Sequence, residues 1–123
     1  MESIENKIKE WSHLHYVAYL YLCVGKSDYS LVDEEIEEIF EKLSETNSNL
    51  DLIKTVYAEV LKIYSMQSDT EIINFIKIHS LDFATSESEK KSILINLEDI
   101  MEADGIIKDV EMIMYRFIKK TLI

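Results

Sequence analysis

The sequence predicts an all-α protein, a compact bundle of about six to seven helices built from two degenerate helix-loop-helix halves. Its 123 residues include no proline and only two glycines, and 47% of them are hydrophobic. Tight turns between strands usually require Gly, Pro or Asn-Gly pairs, whereas helix interiors avoid Pro and Gly. Apolar residues also recur at helical spacing. A chain of this length fits one domain, so residues 1–123 are expected to form a single domain.

Apolar periodicity places the first three helices at residues 11–24, 32–43 and 50–66. The first is apolar on most of its faces and is expected to end near Gly25. The second has one apolar stripe opposite a glutamate-rich face, and the loop 46–49 after it offers an N-cap. The third is expected to turn seven apolar positions inward, namely Leu50, Ile53, Val56, Tyr57, Val60, Leu61 and Tyr64.

The rest of the chain is expected to add helices at residues 70–79, 86–103 and 109–122. Ser68 or Asp69 can cap the first of these. The segment that joins it to the next helix is expected to be irregular or to form one helical turn. A tight loop joins the last two helices, and no linker or second domain is indicated.

The composition narrows the classes of ligand. With 24 acidic and 13 basic residues the net charge is -11, which opposes binding to nucleic acid or to anionic membranes. The acidity either keeps the protein soluble or gives it affinity for cations or a basic partner.

Cys23 is the only cysteine, so no internal disulfide or cysteine-rich zinc site is expected. The first residues do not resemble a signal peptide, and the apolar stretch 14–24 is too short to span a bilayer. A cytoplasmic location without membrane insertion is expected.

Two loops between predicted helices share the pattern Asp-x-x-aliphatic-x-Asp-x-Glu. The carboxylates of the two copies are Asp28, Asp33 and Glu35, then Asp104, Asp109 and Glu111. One interpretation is that these carboxylates only cap the helices, because carboxylates are typical capping groups around helix ends. The other is a cation site, because carboxylate oxygens are the ligands that calcium and magnesium prefer. It is not an EF-hand loop, since Ile106 and Lys108 occupy positions where that loop needs carboxylates.

The stretch Ile100-Met-Glu-Ala-Asp-Gly-Ile-Ile-Lys-Asp-Val-Glu111 resembles the signature of TerB-like domains, the tellurite-resistance family. Residues 19–43 resemble a degenerate first copy, in which Tyr29 stands where the second loop has Gly105. The resemblance implies an all-α fold of about seven helices in two related halves. It also implies a cytoplasmic bacterial protein linked with stress or tellurite response, without an established enzymatic reaction. Metal binding through the acidic loops is implied as well, which makes the six carboxylates candidate metal ligands and the second loop the better candidate.

No catalytic motif is found: the sequence has no glycine-rich phosphate loop, no His-Glu-x-x-His helix and no nucleophile elbow. The sequence therefore favours a non-enzymatic TerB-like module that binds calcium or magnesium, a protein partner, or both, through its acidic loops. One alternative is a purely structural interaction protein, such as a homo-oligomer, which would show a large exposed apolar patch. The other is a metal-dependent enzyme with carboxylate ligands, which would need a deep pocket beside the loops.

Five histidine and tyrosine residues near the start of the chain are also candidates for a site. His13 and His15 are two positions apart on a predicted helix, so they point in different directions and are not expected to share a metal. Tyr16, Tyr19 and Tyr21 are expected to pack in or at the core. The alternative is that they line a ligand groove.

Overall fold

A computed structural model describes residues 8–25, 33–103, 105 and 109–122, and for residues 33–35 it describes the backbone alone. These residues form seven helices and no strand. The helices are α1 His13–Gly25, α2 Asp33–Thr46, α3 Leu50–Met66, α4 Asp69–Ile78, α5 Ser80–Phe83, α6 Glu87–Glu102 and α7 Asp109–Leu122. The prediction of an all-α bundle of about seven helices is confirmed. None of the described helices has the length and apolar character needed to cross a membrane.

The predicted helix boundaries agree closely with the observed ones. α3 and α7 begin and end where the periodicity places them. α2 continues to Thr46, beyond the last apolar residue Leu43, and the Asn47 N–H donates to the Leu43 carbonyl at 3.1 Å. The polar residues of this last turn extend the helix without extending its apolar stripe, so periodicity alone could not reveal them.

Polar side chains fix the starts of three helices. The Asn49 side chain caps α3, and the Ser86 side chain caps α6. At the start of α4, Ser68 Oγ accepts the Glu71 N–H at 3.2 Å and a Glu71 carboxylate oxygen accepts the Ser68 N–H at 3.0 Å. This reciprocal pair is a capping box, and it confirms Ser68 as the cap of that helix.

α1 is the central helix of the bundle. All residues from Val17 to Gly25 are buried, and α1 packs against α2, α3, α5, α6 and α7. A helix that is apolar all round is expected to be buried on all sides. Its two buried tyrosines keep hydrogen bonds: the Tyr19 hydroxyl donates to the Gln67 side chain, and the Tyr21 hydroxyl accepts from Asn96 at 2.8 Å. The prediction that Tyr19 and Tyr21 pack in the core is therefore confirmed.

Several large apolar side chains lie on the surface instead of in the core, Leu50 and Leu81 among them. Leu50 was expected to face inward but is 54% exposed, because it is the first residue of α3 and precedes Ile53, the first buried position of that helix. Leu81 in the short helix α5 is 77% exposed, whereas Phe83 at the end of the same helix is fully buried. The inward prediction for Leu50 is wrong for this reason.

Candidate functional site

The turn between α6 and α7 carries the second acidic motif. Gly105 has a φ of +80°, in the left-handed region that favours glycine. Its N–H donates to the Glu102 carbonyl at 2.9 Å. A Cβ placed on Gly105 would meet no atom within 4 Å, so the dihedral angle rather than lack of space selects glycine here. A glycine after the end of α6 is the usual way to terminate a helix.

The six candidate metal ligands are only partly described by the structure. Asp28 and Asp104 lie outside the described residues. Asp33 begins α2 and Glu35 lies in its first turn, but their side chains lie outside what is described. Asp109 and Glu111 both lie in the first turn of α7.

Glu111 differs from the other described carboxylates by its burial. Its exposed fraction is 1%, and it is the one charged side chain that is buried among the described residues. It lies on the inward face of α7 together with Tyr115, Ile118 and Leu122, whereas Asp109 is exposed. Burial of a carboxylate is costly unless other groups compensate for the lost water. Across the described ranges, no group of three or more His, Cys, Asp or Glu side chains could hold a metal ion.

Two further carboxylates near the end of α6 join helices to one another. Glu98 accepts a short hydrogen bond from the Tyr115 hydroxyl, which links α6 to α7. The pKa of Tyr115 is raised to about 12. Burial is the largest cause, followed by the hydrogen bond to Glu98 and by the negative charge of Glu98. Asp99 binds the Lys42 ammonium at 2.8 Å and links α6 to α2. This hydrogen bond raises the pKa of Lys42. Both carboxylates are occupied by these contacts between helices.

Described residues form a concave surface beside α4. We call it the α4 groove; its volume is about 570 Å³, within the range typical of ligand sites. It is lined by Ile8, Lys9, Tyr16, Gln67, Glu71, Asn74, Phe75, Ile78 and His79. Four of these residues, 71, 74, 75 and 78, have the spacing of a single helix face. α4 therefore presents one continuous stripe to the groove.

Aromatic rings form part of the wall of the α4 groove. The His79 ring lies 4.3 Å from Phe75 and 5.5 Å from Tyr16, measured between ring centroids. The Asp82 carboxylate holds Nδ1 of His79 at 2.8 Å. Burial, and to a smaller extent the charge of Asp82, raise the pKa of Tyr16. Of the three tyrosines considered from the sequence, Tyr16 alone lines this groove.

The edge of the α4 groove combines an exposed apolar side chain with an ionised one. Ile78 is 75% exposed although it lines the groove. The backbone and side-chain hydrogen bonds from Ser68 lower the pKa of Glu71, so this carboxylate is ionised at neutral pH. The sequence contained a signal for this surface, because Phe75 and Ile78 follow Glu71 at helical spacing. Periodicity could not show that Ile78 would remain uncovered.

Comparison of the chain with protein-family models, curated proteins and solved structures found no match. The resemblance to TerB-like domains therefore depends on the residues of the two acidic loops alone.

Proposed function

We propose that this chain is a TerB-like helical module of a stress response, and that it binds a basic, amphipathic helix of a protein partner in the α4 groove. The observation that carries the proposal is Ile78, which is 75% exposed in the α4 groove, where the rings of Phe75 and His79 pack together. Exposed apolar side chains around a groove mark interaction surfaces.

The spacing of the α4 residues that line the groove favours a helix as the occupant. A helix docks into a groove through apolar anchors spaced i, i+3, i+4 and i+7. The stripe on α4 has the same spacing, so two such helices can pack side by side along it. Tyr16, Phe75 and Ile78 offer the apolar contact, while Gln67 and Asn74 supply polar groups at the same surface. In protein interfaces, a few central, well-packed residues surrounded by polar contacts contribute most of the binding energy.

Charge favours a basic occupant over a second copy of this chain. The net charge of -11 repels another copy and attracts a cationic partner. Glu71 stays ionised at the groove. Although Lys9 also lines the groove, the surplus of acidic residues determines the field at longer range.

The proposal predicts that a synthetic amphipathic peptide binds and that Ile78→Ser weakens the binding. The probe is a fluorescent helix-forming peptide of about 15 residues, with leucines at the four anchor spacings and lysines elsewhere. Loss of the Ile78 side chain should raise the Kd about 10-fold, because it removes one apolar anchor. Fluorescence anisotropy measures the Kd directly.

A matched variant and a matched peptide make the anisotropy test specific. Ile95→Ser removes another exposed isoleucine, which lies in α6, is 57% exposed and does not line the groove; it should leave the Kd unchanged. A peptide of the same composition in scrambled order should bind more weakly. Equal effects of Ile78→Ser and Ile95→Ser would refute the groove as the binding surface. So would a concentration-dependent dimer, seen by light scattering, that Ile78→Ser dissolves.

We propose a second binding function at the turn between α6 and α7, where calcium or magnesium would bind through Asp104, Asp109 and Glu111. The acidic motif of this turn supports the proposal, because carboxylate oxygens are the ligands that calcium and magnesium prefer. The first-loop residues Asp28, Asp33 and Glu35 would contribute only if the two loops lie close together.

The cation proposal predicts that calcium raises the melting temperature of the protein with increasing concentration. A ligand that binds only the folded state stabilises it by about 2.7 kcal/mol at 100 times its Kd. The double variant Asp104→Asn with Glu111→Gln should abolish this shift. Asp51→Asn is the control, because Asp51 is also an acidic residue in the first turn of a helix. Identical melting of the unmutated protein in calcium, magnesium and a chelator would exclude the cation site.

A further inference from the structure

Two polar side chains at the start of α1 and one on α3 form a hydrogen-bonded chain that the proposed functions do not use. Ser12 Oγ lies 2.9 Å from Nδ1 of His15, and Nε2 of His15 lies 2.8 Å from a carboxylate oxygen of Glu59 on α3. We propose that this Ser12–His15–Glu59 chain is an acyl-transfer site that hydrolyses small carboxylic esters. None of its members lines the α4 groove, so it stands independently of the proposed function.

The hydrogen bonds select the tautomer of His15 that a general base requires. The backbone N–H of Ser12 donates to Nδ1 of His15 at 3.1 Å. Because a backbone N–H can only donate, Nδ1 is the acceptor and the ring proton lies on Nε2, where it is donated to Glu59. The lone pair of Nδ1 therefore faces both the backbone N–H and the hydroxyl of Ser12, and the Glu59 carboxylate accepts from the opposite nitrogen. Ser12 is thus placed as the nucleophile, His15 as the general base and Glu59 as the acidic residue that orients the base.

The surroundings hold the imidazole in place and leave room for a substrate. The Trp11 ring stacks on His15 at a centroid distance of 5.6 Å and an interplanar angle of 18°. The His15 side chain is 13% exposed, while Ser12 is exposed. A cavity of about 330 Å³ is lined by Glu10, Trp11, His15, Glu59, Lys62 and Ile63. Trp11 and Ile63 are its apolar lining residues, against which a small acyl or aryl group bound beside His15 would pack.

The reaction that follows from this arrangement balances without a cofactor. Ser12 Oγ attacks the ester carbonyl carbon while its proton passes to Nδ1 of His15, and Glu59 stabilises the imidazolium that forms. The proton then passes from Nδ1 to the leaving alcohol, which departs and leaves an acyl group on Ser12. A water molecule attacks this acyl group by the same route and releases the acid. Backbone N–H groups in the first turn of α1, next to Ser12, can stabilise the negative charge on the carbonyl oxygen.

The competing explanation is that Ser12 and His15 only cap α1, with His15 in the place that glutamate takes in a capping box. The chain contains two comparison sites, because Ser68 and Ser86 cap α4 and α6 with Glu71 and Glu89 three residues later. A purely structural cap would make Ser12 as unreactive as these two serines. Glu59 has no part in a cap.

A fluorophosphonate ester probe distinguishes the two explanations. Incubation followed by peptide mass mapping should locate one adduct on Ser12 and none on Ser68 or Ser86. Ser12→Asn retains a capping group without the nucleophile, and His15→Gln retains an acceptor without the base; both should abolish labelling. Absence of labelling in the unmutated protein, or equal labelling of Ser86, would overturn the proposal.

Turnover of p-nitrophenyl acetate separates catalysis by Ser12 from reaction at an exposed imidazole. Ser12→Asn should reduce hydrolysis to the rate of a folded control protein of equal histidine content. Glu59→Gln should lower kcat at least about 10-fold with little change in KM, because Glu59 is a positioning residue that acts through His15. Glu59→Asp should recover part of the rate. Hydrolysis that persists in Ser12→Asn would overturn the proposal.

Discussion

Replacing Leu20 with alanine is expected to lower the free energy of unfolding by about 2–5 kcal/mol. Leu20 is completely buried in α1, and five other helices pack around α1. Truncation removes buried apolar surface and leaves a cavity that a helix enclosed on all sides cannot easily close. Since natural domains are stable by about 5–15 kcal/mol, this single change should remove a large fraction of the stability. Urea denaturation followed by circular dichroism measures the loss.

The same substitution at Leu50 provides the matched control. Leu50 is 54% exposed at the first position of α3, so Leu50→Ala should change the free energy of unfolding by no more than about 0.5 kcal/mol. Both substitutions remove the same atoms, so the difference between their losses of unfolding free energy measures the effect of burial. Similar losses at the two positions would contradict the central place of α1 in the bundle.

Stability should fall steeply as the pH rises above about 10, the ordinary pKa of tyrosine. Burial raises the pKa of Tyr19 and of Tyr21, which are 0% and 1% exposed. Below that pH both hydroxyls keep their protons in the folded and unfolded states, so the stability is fully present. Above it the unfolded chain loses these protons while the folded chain retains them. Each such proton lowers the stability by about 1.4 kcal/mol per pH unit.

Urea denaturation at a series of alkaline pH values measures this dependence, and tyrosinate absorbance should rise together with unfolding. Tyr19→Phe removes one of the two buried hydroxyls and should make the pH dependence shallower. A gradual rise of tyrosinate absorbance in the folded protein, before any loss of helix, would contradict the burial of these side chains.

The sequence was sufficient to predict the helices because their apolar residues repeat at the helical period. α3 and α7 were placed to the residue, and Ser68 was one of the two residues proposed as the cap of α4. α2 was predicted too short because its last turn is polar. Leu50 was misplaced because a helical stripe does not reveal where neighbouring helices begin to cover it.

The candidate sites were harder to predict, since they depend on which helices pack together. The acidic motif suggested surface carboxylates, yet Glu111 is buried, and a local pattern of acidic residues could not show this. His15 and Glu59 are separated by 44 positions, so no spacing in the sequence could pair them. Ser12 and His15 do have the spacing of a capping box, which is the one local signal of that cluster. The uncovered face of α4 likewise depends on what the other helices leave open.

The proposed function depends most on the face of α4 between Glu71 and Ile78 being a binding surface. The most direct test is a nuclear magnetic resonance titration of the isotope-labelled protein with the unlabelled amphipathic peptide. We expect the largest amide shifts at residues 71, 74, 75 and 78 of α4 and at Tyr16 across the groove. Shifts confined to the turn around Gly105, or no shifts with a peptide that is helical in solution, would contradict it.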